Sequence, residues 1–269
     1  MAENGKTMSL LIVIPFTVET APTAEKLCDW IFQLSGTKGH ALLVASHDVH
    51  GEMCTKVSIA AEVAFETSEL IVASEIQTAS PVMLANHLFK FAGDYIVRHF
   101  RCPWLWLEPA CVPLQSDWQE HLLLSYNAQP KRYLGGWLQY AVATENSPAK
   151  VCLSRCSVYP PDAINDLSPH CTAAMPFNLA AAPHILSRST KSRLVHEFAY
   201  NGDPTKINPA ACVLNSDKTG KLIEHLQSTL TTQPAKPVTN GSPKMSVAER
   251  MAKARAARGR VGVTQMARL

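Results

Sequence analysis

Two short stretches carry the side chains with chemistry to offer. PWLWLEPACVPL, Pro103 to Leu114, ends an apolar run on a single carboxylate, Glu108, with Pro109 directly after it. Proline fixes the turn and favours an extended backbone at the residue before it. Two readings stand for Glu108: a carboxylate brought to a sheet rim to hold a divalent cation against a pyrophosphate, or a solvated acid at a strand end. Hard cations take several oxygen ligands, and no second acid follows in the segment. The other stretch, ASHDVHGE, sets His47, Asp48, His50 and Glu52 in one polar run. It reads as a ligand-binding loop or as an ordinary polar loop.

Such groups need a scaffold, and the first half of the chain supplies alternating strand and helix patterns. SLLIVIPF, HALLVAS, SELIVAS and CPWLWLE read as buried strands. TAPTAEKLCDWIFQL, MCTKVSIAAEVAF, SPVMLANHLFKFAGDYIVRHF and SDWQEHLLLSY show helical spacing, the last with Ser116 or Asp117 as its cap. Alternation of this kind predicts an α/β fold with a mostly parallel sheet covered on both faces. Ligands collect at the carboxyl ends of such strands, which puts the loops after Phe16, Ser46 and Leu107 on one rim. Trp104 and Trp106 alternate with Leu105 and Leu107, so burial is expected on both faces of that strand.

The second half is less regular. YLGGWLQYAVA and KVCLSRCSVY read as strands that extend the sheet antiparallel. PFNLAAAPHILSRSTKSRLVHEF is helical in composition, with Pro183 starting, kinking or dividing the helix. TGKLIEHLQSTL reads as a last amphipathic helix. The expected organisation is a domain over 1–230, a Pro/Thr/Ser-rich linker over 231–245 and a basic tail over 246–269.

Composition narrows the classes. At 269 residues and 46 % apolar, the chain can bury a sizeable core. The apolar run near its start is far shorter than the roughly 20 residues of a membrane span, and it lacks a secretory pattern. The eight cysteines form no CxxC pair, so buried free thiols in a reducing compartment are expected rather than zinc. From Gly241 to Leu269, seven Lys/Arg against one acid give +6, which leaves −3 for the rest of a chain whose net charge is +3. A mildly acidic body argues against nucleic-acid binding by bulk charge. The tail reads as an arm for DNA phosphates, as a docking segment for a protein, or as a solvated terminus.

The segment around Glu108 resembles the metal-site segment of GT-A-fold glycosyltransferases of tailed bacteriophages, several of them associated with DNA base modification. The match runs through Leu107, Glu108, Pro109, Cys111, Val112, Pro113, Leu114 and Trp118. VIPF, ANHLFKFAG, SRCSVYPP, MPFNLAAAPHILSRSTKSRLVHEF and VLNSDKTGKLIEHL resemble further segments in the same order, so the likeness covers roughly residues 8 to 228.

The resemblance implies a GT-A-like nucleotide-sugar-binding architecture. It implies transfer of a sugar from a nucleotide diphosphate sugar to a hydroxyl, such as that of a hydroxymethylated base in phage DNA. Asp48, in the rim loop after the second strand, would bind the donor's base or ribose; by the resemblance Glu108 and position 110 would face the donor, and Glu108 with position 215 would hold a manganese or magnesium ion. Position 178 would hold the base, and Tyr159 and Arg155 would line an acceptor cleft. Three of these positions depart from the family: Ala110 and Asn178 stand where it keeps Asp, and Asn215 where it keeps His. An alanine offers no ligand, and an amide is a poor general base. Impaired chemistry is therefore expected, in the cytoplasm of an infected bacterial cell. An active transferase on this pattern would be metal-independent or use rearranged ligands from Glu108, Asp48 and His50; the alternative is a non-catalytic relative that binds DNA or a protein partner.

Overall fold

The computed structural model describes residues 9–76, 80–141, 150–172, 174–197, 211–215, 222–224 and 226–227. The proposed linker and basic tail lie outside them. β1 (Leu11–Phe16), α1 (Ala21–Ser35), β2 (His40–Ala45), α2 (Gly51–Ala64), β3 (Thr67–Val72), α3 (Pro81–His99) and β4 (Trp104–Trp106) follow one another in the expected alternation. β5 (Cys111–Pro113), α4 (Trp118–Asn127), β6 (Tyr133–Ala141) and β7 (Lys150–Tyr159) come next. They are followed by short helices α5 (Ala163–Leu167), α6 (Phe177–Ala180) and α7 (Ala182–Ile185), then by β8 (Ser189–Lys191), β9 (Val195–Glu197) and β10 (Val213–Asn215).

The main sheet has the order β3-β2-β1-β4-β7-β6-β8. β1 to β4 are mutually parallel, while β7 runs antiparallel to both β4 and β6. The antiparallel extension is thus present. A second sheet, β5-β10-β9, stands apart from the first.

Side-chain alternation builds the layers. Ile12, Ile14 and Phe16 of β1, with Leu105 and Leu107, pack against α1 and α2. Leu11 and Val13, with Trp104 and Trp106, pack against α3 on the other face. A strand buried on both faces has no polar side, which is why these runs are apolar throughout. Phe89 of α3 is the hub of the second layer. It stacks on Phe177 with centroids 3.8 Å apart and meets Trp104, Trp106 and Tyr159 at 5.1–5.2 Å.

Three expectations are corrected. The stretch 176–198 is not one helix: it breaks into α6 and α7 and then becomes β8 and β9. Pro183 begins the second piece rather than extending the first. From Ser189 onward the chain finds strand partners, β6 for β8 and β10 for β9. Backbone pairing there overrides a helical composition. Asp117 occupies the cap position of α4 but makes no capping bond, and its Oδ2 lies 3.2 Å from His121 Nε2 instead. The helix expected from Met53 begins at Gly51, so Glu52 belongs to its first turn and pairs with Lys56 at 2.9 Å. All eight cysteines are free, and seven are buried.

Candidate functional site

β1 and β4 are neighbours at which the strand order reverses: from β1 the chain goes to β2 and β3 on one side, then crosses back to β4 on the other. That is a topological switch point, where α/β sheets open a crevice. A cleft of about 670 Å³ lies there, walled by the end of β1, the start of α1, the β2 loop, the start of α3 and the end of β4. It brings together Asp48, Glu108 and Ala110, which come from distant parts of the chain, and adds Glu19, Thr17 and Ser80.

Each carboxylate is positioned locally. Leu107 N–H still bonds Val13 O at 2.8 Å, the last rung of the β4 edge. Pro109 and Ala110 then turn the chain, Cys111 N–H closes the turn on Glu108 O at 2.7 Å, and β5 enters the second sheet. Glu108 therefore stands where the chain crosses between sheets, half-buried, its Oε1 accepting from the Trp106 indole at 3.3 Å. Asp48 accepts from the buried Ser46 hydroxyl at 2.5 Å. Glu19 accepts from Thr17 at 2.7 Å, and that bond holds its carboxyl below the ordinary value, while the charge of Asp48 opposes the shift.

A second, smaller pocket of about 170 Å³ adjoins the first. Glu108, Pro81 and Ala85 line both. Its remaining walls are Val82, Asn86, Pro176 and Phe177. Asn86 is 1 % exposed and straps the 175–177 segment to α3: its Nδ2 donates to Met175 O at 3.0 Å and its Oδ1 accepts from Phe177 N–H at 2.9 Å.

Neither pocket has a lysine or arginine among its described lining residues. Positive potential in the described lining is left to the backbone. α3 and α1 both begin at the cleft, and a helix N-terminus carries about half a positive charge. The described donors do not by themselves make a site for a resident divalent cation. Among the described residues no group of three His, Cys, Asp or Glu side chains converges on one point. Ala110 presents a methyl group beside Glu108.

The remaining candidates lie elsewhere. Asn178 is buried and holds β7, donating to Leu153 O at 2.9 Å. Asn215 falls in β10, where its backbone pairs with Cys111, one residue from Ala110; its side chain lies outside the described residues. Tyr159 is fully buried, stacked on Trp104 at 4.7 Å, and burial pushes its hydroxyl well above the ordinary value. The Arg155 side chain is also outside the described residues. His47 and His50 are exposed and do not line the cleft.

The rim rule pointed to the loops after Phe16, Ser46 and Leu107. The contribution of the start of α3 and the strap by Asn86 had no sequence signal, because an asparagine inside an amphipathic helix reads as an ordinary polar position.

No protein-family model matches the chain, and no curated protein matches it in sequence. Solved structures do. The galactosyltransferase LgtC, solved with donor and acceptor sugar analogues, aligns at 10 % identity over 84 % of this chain and 98 % of its own, with a TM-score of 0.54. An active-site mutant of LgtC aligns over 92 % and 96 % at 9 % identity and a TM-score of 0.52. The bifunctional glycosyltransferase WbbM aligns over 84 % of this chain and 50 % of its own at 10 % identity and a TM-score of 0.50. The chain has an α/β fold with a mostly parallel central sheet, the fold of GT-A glycosyltransferases.

Proposed function

We propose that the chain is a glycosyltransferase-like protein that takes a nucleotide diphosphate sugar in the larger cleft and passes the sugar to a hydroxyl. One observation carries the reading: Asp48 and Glu108, from the ends of β2 and β4, face one cleft at the switch point of a GT-A sheet. Asp48, held by Ser46, is the group for the ribose or base. The starts of α1 and α3 turn the positive ends of their helix dipoles toward the diphosphate. The C1–O bond to the leaving diphosphate breaks, the acceptor oxygen bonds C1, and the electron pair leaves with the diphosphate. Helix N-termini supply less counter-charge than a resident cation would, so we propose slow turnover. For the acceptor we propose a hydroxymethylated DNA base, with the 246–269 segment meeting DNA phosphates in a salt-sensitive way.

Ala110 favours a second reading, a binding module without turnover. Calorimetric titration with uridine diphosphate, with and without manganese, on this chain and on Ala110→Asp separates the two. Metal-independent binding by this chain, together with donor turnover, supports the transferase. Binding by Ala110→Asp alone shows that the methyl group disabled the site. No binding by either protein removes uridine nucleotides as ligands.

A further inference from the structure

The resemblance makes Glu108 half of a metal pair. Its position in the fold supports a different task. The carboxylate lines the wall between two contiguous pockets, one large enough for a nucleotide sugar and one of about 170 Å³. The smaller has about a quarter of the volume of the larger, which suits one ring with its substituents. Apart from Glu108, its polar lining is Asn86, and both ends of that amide are committed to the 175–177 strap. Proline, valine, alanine and phenylalanine make up the rest. Met83 and Met175, next in sequence to the lining residues Val82 and Pro176, are 37 % and 52 % exposed and extend apolar surface outward. Such walls select a neutral ring with an apolar face. Asn178, the position where the resemblance puts a base, is sealed under β7 and lines neither pocket.

We infer that the smaller pocket is the acceptor subsite, that it takes a single neutral ring bearing a hydroxyl, and that Glu108 is the catalytic base for that hydroxyl. The inference rests on the nucleotide-sugar reading of the larger cleft. In the step, the acceptor O–H proton moves to a Glu108 oxygen as the acceptor oxygen bonds C1 and the diphosphate departs with the electron pair. Glu108 then releases the proton to water. Direct displacement inverts the configuration at C1. The lone acid is then a working base, and a methyl group at position 110 costs that role nothing.

The test uses the full chain, uridine, thymidine, cytidine and guanosine diphosphate glucoses as donors, and 4-nitrobenzyl alcohol against glucose as acceptors. Donor binding is followed separately by tryptophan fluorescence. The expected product has inverted configuration, with 4-nitrobenzyl alcohol preferred. Glu108→Gln should lower kcat by about 10²–10⁴-fold while donor binding persists. Added formate should restore turnover to Glu108→Ala, which a structural carboxylate would not allow. Val82→Trp, which fills only the smaller pocket, should raise the acceptor KM and leave the donor KM. Unchanged kcat in Glu108→Gln, a retained anomer, or a preference for glucose would overturn the inference. So would loss of donor binding in Glu108→Gln, because it puts the carboxylate on the donor. If the wild-type chain binds none of the four donors, the nucleotide-sugar reading itself falls and takes the inference with it.

Discussion

Two groups of carboxylates lie on opposite sides of β7 in sheet order, and they are treated differently. In the second half of the chain, Asp166 accepts from Tyr133 at 2.8 Å and from Arg188 at 3.0 Å, with Arg132 at 3.9 Å. Asp162 accepts from the same Arg132 nitrogen, Nη2, at 2.5 Å. Arg188 also lies over the Tyr133 ring, 5.7 Å from its centroid. In the cleft, Glu19, Asp48 and Glu108 accept from a threonine, a serine and an indole, and no lysine or arginine joins the described lining. Charge neutralised within the chain locks elements together. Charge that lines a cleft and accepts from neutral donors can face a ligand, at a cost in stability that a ligand-binding site can bear. The difference separates scaffold acids from working acids more sharply than residue type does.

The most severe way to break this division is to remove the hub that both pockets rest on. Phe89→Ala should cost about 3–5 kcal/mol, read by urea unfolding, because the ring is fully buried against four aromatic neighbours. A loss below about 1 kcal/mol would mean the layer repacks freely.

Asn178→Asp sharpens the comparison. It restores the acid that the resemblance expects, but at a site where the amide donates to Leu153 O. A carboxylate there faces a carbonyl with no proton to give, so the expected result is about 3 kcal/mol of lost stability and no gain in transfer. Increased transfer would put a working base in the scaffold half and abolish the distinction.

Asp166→Asn tests the scaffold side with the smallest expected effect. The side chain is 27 % exposed, so solvent screens part of the interaction. A loss of about 1–2 kcal/mol is expected by thermal unfolding, with donor binding unaffected. A change in donor affinity would show that the two acid groups are coupled.

The legibility of the sequence divides along the same line. β1 and β2 and their helices were readable because each strand is buried on both faces, so its apolar run stands out against the helical spacing around it. Glu108 was readable because Pro109 fixes where the strand must end. The strands β8, β9 and β10 were not, since a three-residue strand shows no period. Their identity depends on partners elsewhere: β6 for β8, and β5 with β9 for β10.

The alternating elements, the rim after Phe16, Ser46 and Leu107, and the single acid at position 108 are all written in local sequence. These follow from local rules: side-chain period, proline geometry and the carboxyl-end rule for parallel strands. That Asp48 and Glu108 share a cleft, that Glu108 also faces a second pocket, and that Asn178 is a strap for β7 emerge from the packed fold. Those facts depend on strand order and on which surfaces pack together. Both are set by burial summed over the whole chain, and no short stretch of residues carries that sum.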